Sequence, residues 1–193
     1  MRKDIYRSAI AIVASTAVLG FAYPVLMVLV GQVAFSNQAN GSLITLNGRT
    51  VGSRLAGQSF NGPKWFHERP SAVGYNADGT SFSNLGPNSS ALAKLVRTRI
   101  HDILELEGPY NPGLTVKDIP VDAVTASGSG IDPEISRAYA ELQSRRIAAV
   151  WHLPLAAVRT MINQHVDSRF LGFLGEPGVN VLELNLSLME AQH

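Results

Sequence analysis

The feature that most constrains this chain is a long run without charge near its start. No Asp, Glu, Lys or Arg occurs from residue 8 to residue 48, and residues 9–35 are almost entirely apolar. At about 1.5 Å per residue, roughly 20 helical residues cross a hydrocarbon layer of about 30 Å. Lipid offers no hydrogen bonds, so a spanning segment must satisfy its backbone internally as a helix. We therefore predict a transmembrane helix over residues 9–35, after a short N-terminus (residues 1–8) and before a domain (residues 36–193).

A cleaved signal peptide and a buried core helix are the alternatives to this anchor. The apolar core of a signal peptide is about 7–15 residues long and ends at a small-x-small cleavage site. The present run is longer, and Val33-Ala34-Phe35 makes a poor cleavage site. Both observations favour the anchor, and Pro24 within the run predicts a kink.

Charge asymmetry predicts the orientation of this helix. Arg2, Lys3 and Arg7 precede the run, and the next cation is Arg49. The positive-inside rule places the N-terminus in the cytoplasm and the domain outside, which in a bacterial inner membrane means the periplasm. Small residues allow close approach of a second helix, so Gly20 and Gly31 are candidate contacts with a membrane partner. The alternative is a helix that meets only lipid.

Composition excludes several classes of function. The chain has no cysteine, which rules out disulfides, thiol catalysis and cysteine-bound zinc. The net charge is +1, so no strong field would attract nucleic acid. The part after the anchor, roughly 150 residues, suffices for one domain with its own core.

The domain reads as a mixed α+β unit. Asn47-Gly48 between two short apolar runs predicts a β-hairpin with a type I′ turn. Helical periodicity predicts helices from Ser89 to Glu107, from Asp132 onward and from Pro154 onward. We predict a short strand over residues 119–125. The alternating leucines of residues 179–190 predict a final strand.

Motifs for catalysis are missing from the sequence. It contains no phosphate-binding P-loop, no nucleophile elbow, no HExxH and no dinucleotide fingerprint. The histidines, including His193, are scattered and none has a histidine four residues away, so we expect no metal centre. A membrane-tethered exported hydrolase remains an alternative without a supporting motif.

Two segments invite a functional interpretation. Residues 61–90 are too long for an ordinary loop and too aromatic for a disordered linker. Within them, Trp65, Phe66, His67 and Arg69 suit either a partner interface or a cluster that closes the core. The second segment consists of Ser127, Gly128, Ser129 and Gly130, placed before a predicted helix start, where an anion could bind. The alternative is an ordinary turn capped by Asp132.

Several longer motifs, in this order, resemble the C subunit of the bacterial Kdp potassium-transporting ATPase. The resemblance covers nearly the whole chain and includes the single N-terminal membrane helix. The motifs lie in residues 52–60, 65–72, 83–87, 120–133 and 175–185.

The resemblance implies three partners: a potassium-channel-like subunit, a P-type ATPase subunit and a small single-helix subunit. It also implies a role as a catalytic chaperone that raises the ATP affinity of the ATPase subunit, with Gln143 as the matching glutamine. No other cofactor is expected. The predicted topology conflicts with direct ATP contact, because it places Gln143 outside while ATP is cytoplasmic.

We therefore expect a non-catalytic accessory subunit whose domain docks over the outer mouth of the potassium pathway. Residues 65–72 and the turn at 83–87, which contains Asn84, are the candidate docking segments. ATP binding at Ser127 to Gly130 and Gln143 is the alternative.

Overall fold

The computed structural model describes residues 2–191, and His193 lies outside them. The chain divides after Val51 into two compact units, which are described separately. The first unit begins with a continuous helix, Arg2–Ala34, which is long and apolar enough to cross a membrane and has no buried residue in the chain's own fold. The structure therefore agrees with one N-terminal apolar helix followed by an α+β domain. Which residues of the helix lie in lipid stays a prediction.

This helix contains one irregular turn next to Pro24. It consists of α1 (Arg2–Ala17), a π-helical turn (Val18–Ala22) and α2 (Tyr23–Ala34). The Tyr23 N–H donates to the Val18 carbonyl, five residues back. Proline lacks an N–H and crowds the preceding turn, so a local widening beside it is the usual accommodation.

A short helix and a hairpin complete the chain up to Ser53. Helix α3 (Ser36–Ala39) is one turn long, and strands β1 (Leu43–Leu46) and β2 (Arg49–Ser53) form a two-stranded sheet. Asn47 and Gly48 connect the strands with φ of 50° and 75°. These angles are those of a type I′ turn, so the predicted hairpin is confirmed.

The second unit packs helices against a small antiparallel sheet. Its helices are α4 (Ser90–Glu107), α5 (Val121–Val124), α6 (Arg137–Val150), α7 (Leu155–Gln164) and α8 (Val181–Glu190). Its strands β3 (Glu134–Ile135), β4 (Val166–Asp167) and β5 (Gly178–Asn180) form a sheet of order β3-β5-β4. Two short 3-10 turns, Ala77–Gly79 and Val116–Asp118, lie in the connections. In the register, Ile135 pairs with Val179, and Val166 pairs with the same residue from the other side.

Two of the predicted helices are confirmed. Helix α4 begins after Ser89, whose hydroxyl accepts the N–H of Leu92, and helix α7 begins directly after Pro154. Pro154 is the N-cap of α7, where no intrahelical hydrogen bond requires a backbone N–H.

Two predicted strands and the predicted start of one helix are wrong. The strand over residues 119–125 is instead the one-turn helix α5, which follows Pro120. The helix predicted from Asp132 begins only at Arg137. The Asp132 carboxylate accepts the N–H of Glu134, which pairs with Asn180 in the sheet, while Ser136 is the actual N-cap and accepts from Tyr139.

The third error is the C-terminal strand. Only Gly178–Asn180 is extended, and Val181–Glu190 is helical, because Asn180 caps the helix by accepting the N–H of Glu183 at 3.1 Å. The alternating leucines include positions 184 and 188, which also share one face of a helix. The buried residues of this face are Val181, Leu184, Asn185 and Leu188, and their spacing is helical.

Candidate docking site

A segment without regular structure, residues 63–71, contacts helices α6 and α8 and is held by polar side chains. The Gln143 amide forms two hydrogen bonds to one residue of this segment: its Oε1 accepts the His67 N–H at 2.7 Å and its Nε2 donates to the His67 carbonyl at 3.1 Å. Gln143 is fully buried. It therefore acts on the segment as a neighbouring β-strand would, satisfying a donor and an acceptor together.

A second amide does the same for the preceding residue. The Asn185 Oδ1 accepts the Phe66 N–H at 2.8 Å, and its Nδ2 donates to the Phe66 carbonyl at 3.0 Å. The Phe66 side chain is fully buried and belongs to the hydrophobic core. Of the two interpretations of this aromatic segment, Phe66 therefore follows the one that closes the core.

The guanidinium of Arg146 lies next to the Gln143 amide and is fully buried. Its Nε donates to Glu107 Oε1 at 2.8 Å, and its Nη2 donates to Gln143 Oε1 at 2.9 Å. Its Nη1 donates to the carbonyls of Trp65, at 2.9 Å, and of Pro63. Burial raises the pKa of Glu107, and the adjacent Arg146 opposes that shift. One buried cation thus ties α6 to α4 and to the segment.

The outer side of the segment carries an aromatic cluster. The ring of Trp65 lies 5.7 Å from that of Trp151 and 6.1 Å from that of Phe60, in tilted geometry. The Lys64 ammonium lies 4.8 Å from the Trp65 ring centroid, and the Trp151 indole N–H donates to the Lys64 carbonyl. Trp65 is half-buried, so it keeps part of its ring available at the surface.

Glu68 and Arg69 face different surroundings. The Arg69 Nη1 lies 2.9 Å from Asp132 Oδ2 in a partly exposed ion pair. Glu68 is buried, and burial raises its pKa to about 8, with Asp132 adding to the shift and the Gln58 backbone opposing it. Tyr75 donates its hydroxyl to the Arg69 carbonyl at 2.9 Å.

The Ser-Gly-Ser-Gly turn packs against the same segment. The Ser127 N–H donates to the Pro70 carbonyl at 3.2 Å, and the Ser71 hydroxyl donates to the Gly130 carbonyl at 2.6 Å. Gly130 has a φ of 76°, and a Cβ there would lie 2.5 Å from Val73. Gly128 and Ser129 are exposed. Since α6 begins at Arg137, the turn does not stand at a helix N-terminus as predicted.

The structure thus brings residues 65–71, residues 127–130 and Gln143 into one cluster. Asn84 lies apart from it, exposed on a loop with a φ of 54°. Gly20 and Gly31 lie in the membrane helix, where a Cβ added to either would have room, at 3.7 Å or more from its neighbours. Sequence reasoning missed Arg146, Asn185 and Glu107, because nothing in a helical pattern marks a polar residue as buried. It also missed Glu68, which is buried in a segment without regular structure.

An acidic pocket of about 270 Å³ lies beside the cluster. Three of its carboxylates already have partners: Asp122 accepts from the N–H and hydroxyl of Ser136, Asp132 pairs with Arg69, and Glu176 pairs with Arg169. Among residues 2–191, no group of histidines and carboxylates is arranged to hold a metal ion.

Comparison with known proteins identifies the family. The family model for KdpC, described as "K+-transporting ATPase, c chain", matches residues 5–190. The chain belongs to the KdpC family. The KdpC subunit of Paraburkholderia phytofirmans is 47% identical over 99% of both chains. Those of Sorangium cellulosum, 49% identical over 90% of both chains, and Caldanaerobacter subterraneus, 40% identical over 98% of this chain and 96% of that one, are also similar.

Membership of the KdpC family confirms the resemblance found in the sequence motifs. It makes the chain a component of a potassium-transporting ATPase, as an accessory subunit rather than the catalytic one. One N-terminal apolar helix fits a single-pass membrane subunit.

Proposed function

We propose that this subunit stabilises assembly of the potassium pump and docks its domain over the outer mouth of the potassium pathway. The observation that carries the proposal is the helix Arg2–Ala34, which is apolar and unburied by its own chain, in a protein of the KdpC family. A helix whose apolar side chains are exposed is suited to pack against other membrane subunits. Its partners are the channel-like subunit, the P-type ATPase subunit and the small single-helix subunit.

The orientation part of the proposal rests on charge. Arg2, Lys3 and Arg7 precede the apolar run and Arg49 is the next cation, which favours a cytoplasmic N-terminus and a periplasmic domain in the inner membrane. Protease added to intact spheroplasts should digest the domain. Protection there, with digestion in inverted vesicles, would contradict this orientation.

The rigid cluster around residues 63–71 supports a docking role for the domain. Its backbone is fixed by Gln143, Asn185 and Arg146, so surface groups such as Trp65 and Arg69 are presented without a large loss of entropy on binding. We propose that Trp65, His67, Arg69 and the loop at Asn84 contribute to docking, with Phe66 as their anchor in the core. In the membrane, Gly20 and Gly31 are the proposed contacts.

Affinity purification of the tagged full chain in mild detergent tests the assembly proposal. An ATPase subunit and a channel-like subunit should copurify. Gly20→Leu or Gly31→Leu should weaken that association while leaving the unfolding of the domain unchanged. Failure of the wild-type chain to recover any pump subunit would overturn the proposal.

ATP binding at residues 127–130 and Gln143 remains the alternative function. The folded residues do not fit it as they stand: Gln143 is fully buried with both amide atoms bonded to His67, and the Ser127 N–H is bonded to Pro70. Titration of the purified full chain with ATP tests it. Saturable binding by the wild-type chain would favour the alternative, and no saturable binding at millimolar ATP would exclude it.

A further inference from the structure

Strands β4 and β5 are joined by a hairpin with an apolar end. We call the side chains of Phe170, Leu171, Phe173 and Leu174 the apolar tip. The Phe170 N–H donates to the Leu174 carbonyl at 2.9 Å, and the Leu174 N–H donates back at 3.0 Å. At the base, Arg169 Nη2 lies 2.9 Å from Glu176 Oε2. The tip is therefore held in shape by the chain's own bonds.

These side chains are exposed although they are large and apolar. The exposed fractions are 70% for Phe170, 70% for Leu171, 69% for Phe173 and 48% for Leu174. Single exposed apolar residues are common on protein surfaces, but four within five consecutive residues form a contiguous patch. Such a patch on a water-facing domain marks an interaction surface.

The turn at the apolar tip is occupied by a residue that its backbone disfavours. Leu171 has a φ of 53° and Gly172 a φ of 82°, so both lie in the left-handed region, as do Asn47 at 50° and Gly48 at 75°. Asparagine tolerates the left-handed region, whereas leucine is strained there. The first hairpin thus uses the favourable residue, and the second keeps a strained leucine that points its side chain into solvent. Such strain is typical of positions kept for function.

We propose that the apolar tip inserts into an apolar pocket on an extramembrane part of another subunit of the same pump. This inference rests on the proposed assembly function. It adds a contact between the domain and another subunit that lies outside the aromatic segment. It places the anchor of the domain at residues 170–174.

The size of the apolar tip favours a partner that is already held nearby. Four such side chains offer roughly 600 Å² of contact in total. A standard stable interface needs about 800 Å² from each partner, so the tip alone would not hold two copies of this chain together. A second contact between subunits already associated through a membrane helix needs less area, because its effective concentration is high.

Charge favours a protein pocket over a lipid surface. The charged residues flanking the tip, Arg169 and Glu176, pair with each other. The hairpin therefore lacks the basic excess that draws amphipathic segments to anionic lipid. A fixed hairpin shape with aromatic and leucine anchors is instead suited to a preformed pocket.

The first test compares two matched variants of the tagged full chain, expressed with the other pump subunits. Leu171→Asn should lower the recovery of those subunits at least about tenfold, since a buried leucine contributes about that factor or more. The control Val121→Asn changes a side chain that is 72% exposed elsewhere on the domain and should leave recovery unchanged. Unfolding midpoints of both variants verify that they fold.

A photoreactive benzophenone amino acid in place of Phe173 provides the second test. Irradiation of cells should cross-link the chain to another pump subunit, identified by mass spectrometry. Cross-links only to lipid or to a second copy, or wild-type recovery by Leu171→Asn, would overturn this inference while leaving the assembly function standing. A wild-type chain that recovers no pump subunit would overturn both.

Discussion

The aromatic segment at residues 63–71 and the apolar tip at residues 170–174 use similar residues in opposite ways. The segment turns Phe66 into the core, where Gln143, Asn185 and Arg146 fix its backbone. The tip turns Phe170 and Phe173 outward. An aromatic motif in a sequence therefore does not reveal whether its rings contact the protein's own core or a partner. The polar side chains that surround the backbone decide it.

Arg146→Met should lower the free energy of unfolding more than the other substitutions, and it tests the polar contacts that hold the aromatic segment. It removes a fully buried cation and leaves Glu107 and two carbonyls without their donor, so the free energy of unfolding should fall by on the order of 4 kcal/mol. Urea unfolding of the full chain in detergent, followed by tryptophan fluorescence, measures it. The double variant with Glu107→Leu should recover part of the loss, and a mild effect of Arg146→Met alone would contradict the ion pair.

Gln143→Ala tests whether the two hydrogen bonds between Gln143 and His67 stabilise the domain beyond the ordinary effect of an alanine substitution in a helix. The His67 N–H and carbonyl would lose their partners in the interior, at a cost of about 3 kcal/mol. The matched control is Gln164→Ala, on an exposed position near the end of α7, which should change stability by less than about 0.5 kcal/mol. Equal losses of stability in the two variants would show that the Gln143–His67 hydrogen bonds do not stabilise the domain.

Glu68 makes the stability of the segment depend on pH. Because burial raises its pKa from 4.5 to about 8, the folded chain binds more protons than the unfolded chain between those values. The contribution is complete below the unfolded pKa and is lost as pH rises through the folded pKa. Glu68→Gln should therefore be more stable than the wild type near pH 8. The difference in the free energy of unfolding, variant minus wild type, should increase by on the order of 3 kcal/mol between pH 5 and pH 8. Parallel stability–pH curves for the two proteins would refute this.

Leu171→Asn should change stability least, and it tests whether the apolar tip serves a partner and not the fold. Asparagine suits the left-handed backbone that leucine resists, so the unfolding midpoint should rise, by about 1 kcal/mol of stability. A loss of stability would mean that Leu171 packs within the domain. A gain in stability with a loss of partner recovery would separate folding from docking at one residue.

The sequence predicted the parts of the fold that depend on local signals. The hairpin at Asn47-Gly48, the helix after Ser89 and the helix after Pro154 each carry their own turn or cap. The errors fall where contacts distant in the chain decide. Glu134 looked helical beside Asp132 and Pro133, yet it pairs with Asn180 in the sheet. The alternating leucines fit a strand locally, yet residues 181–190 are helical, and Leu184 and Leu188 pack in the core with residues distant in the chain.

The candidate site was predictable only in part for the same reason. The motifs singled out residues 65–72 and 127–130 but gave no sign that these two segments contact each other. Arg146 and Asn185 escaped notice because the sequence gives no sign that these residues enter the core. The apolar tip had a visible signature, a leucine preceding glycine at a hairpin turn among phenylalanines, which becomes meaningful only once φ is known.

The widened turn at Val18–Ala22 has a consequence for neighbours in the bilayer. Gly20 and Gly31 are eleven residues apart, which in an unbroken α-helix would align them along one side. One additional residue in a turn rotates everything beyond it by about 100° around the axis. Gly20 lies inside the widened turn, so part of this rotation falls between Gly20 and Gly31, and the two glycines are less well aligned than the spacing alone indicates. Leucine at residue 20 and leucine at residue 31 should therefore weaken subunit association to different extents.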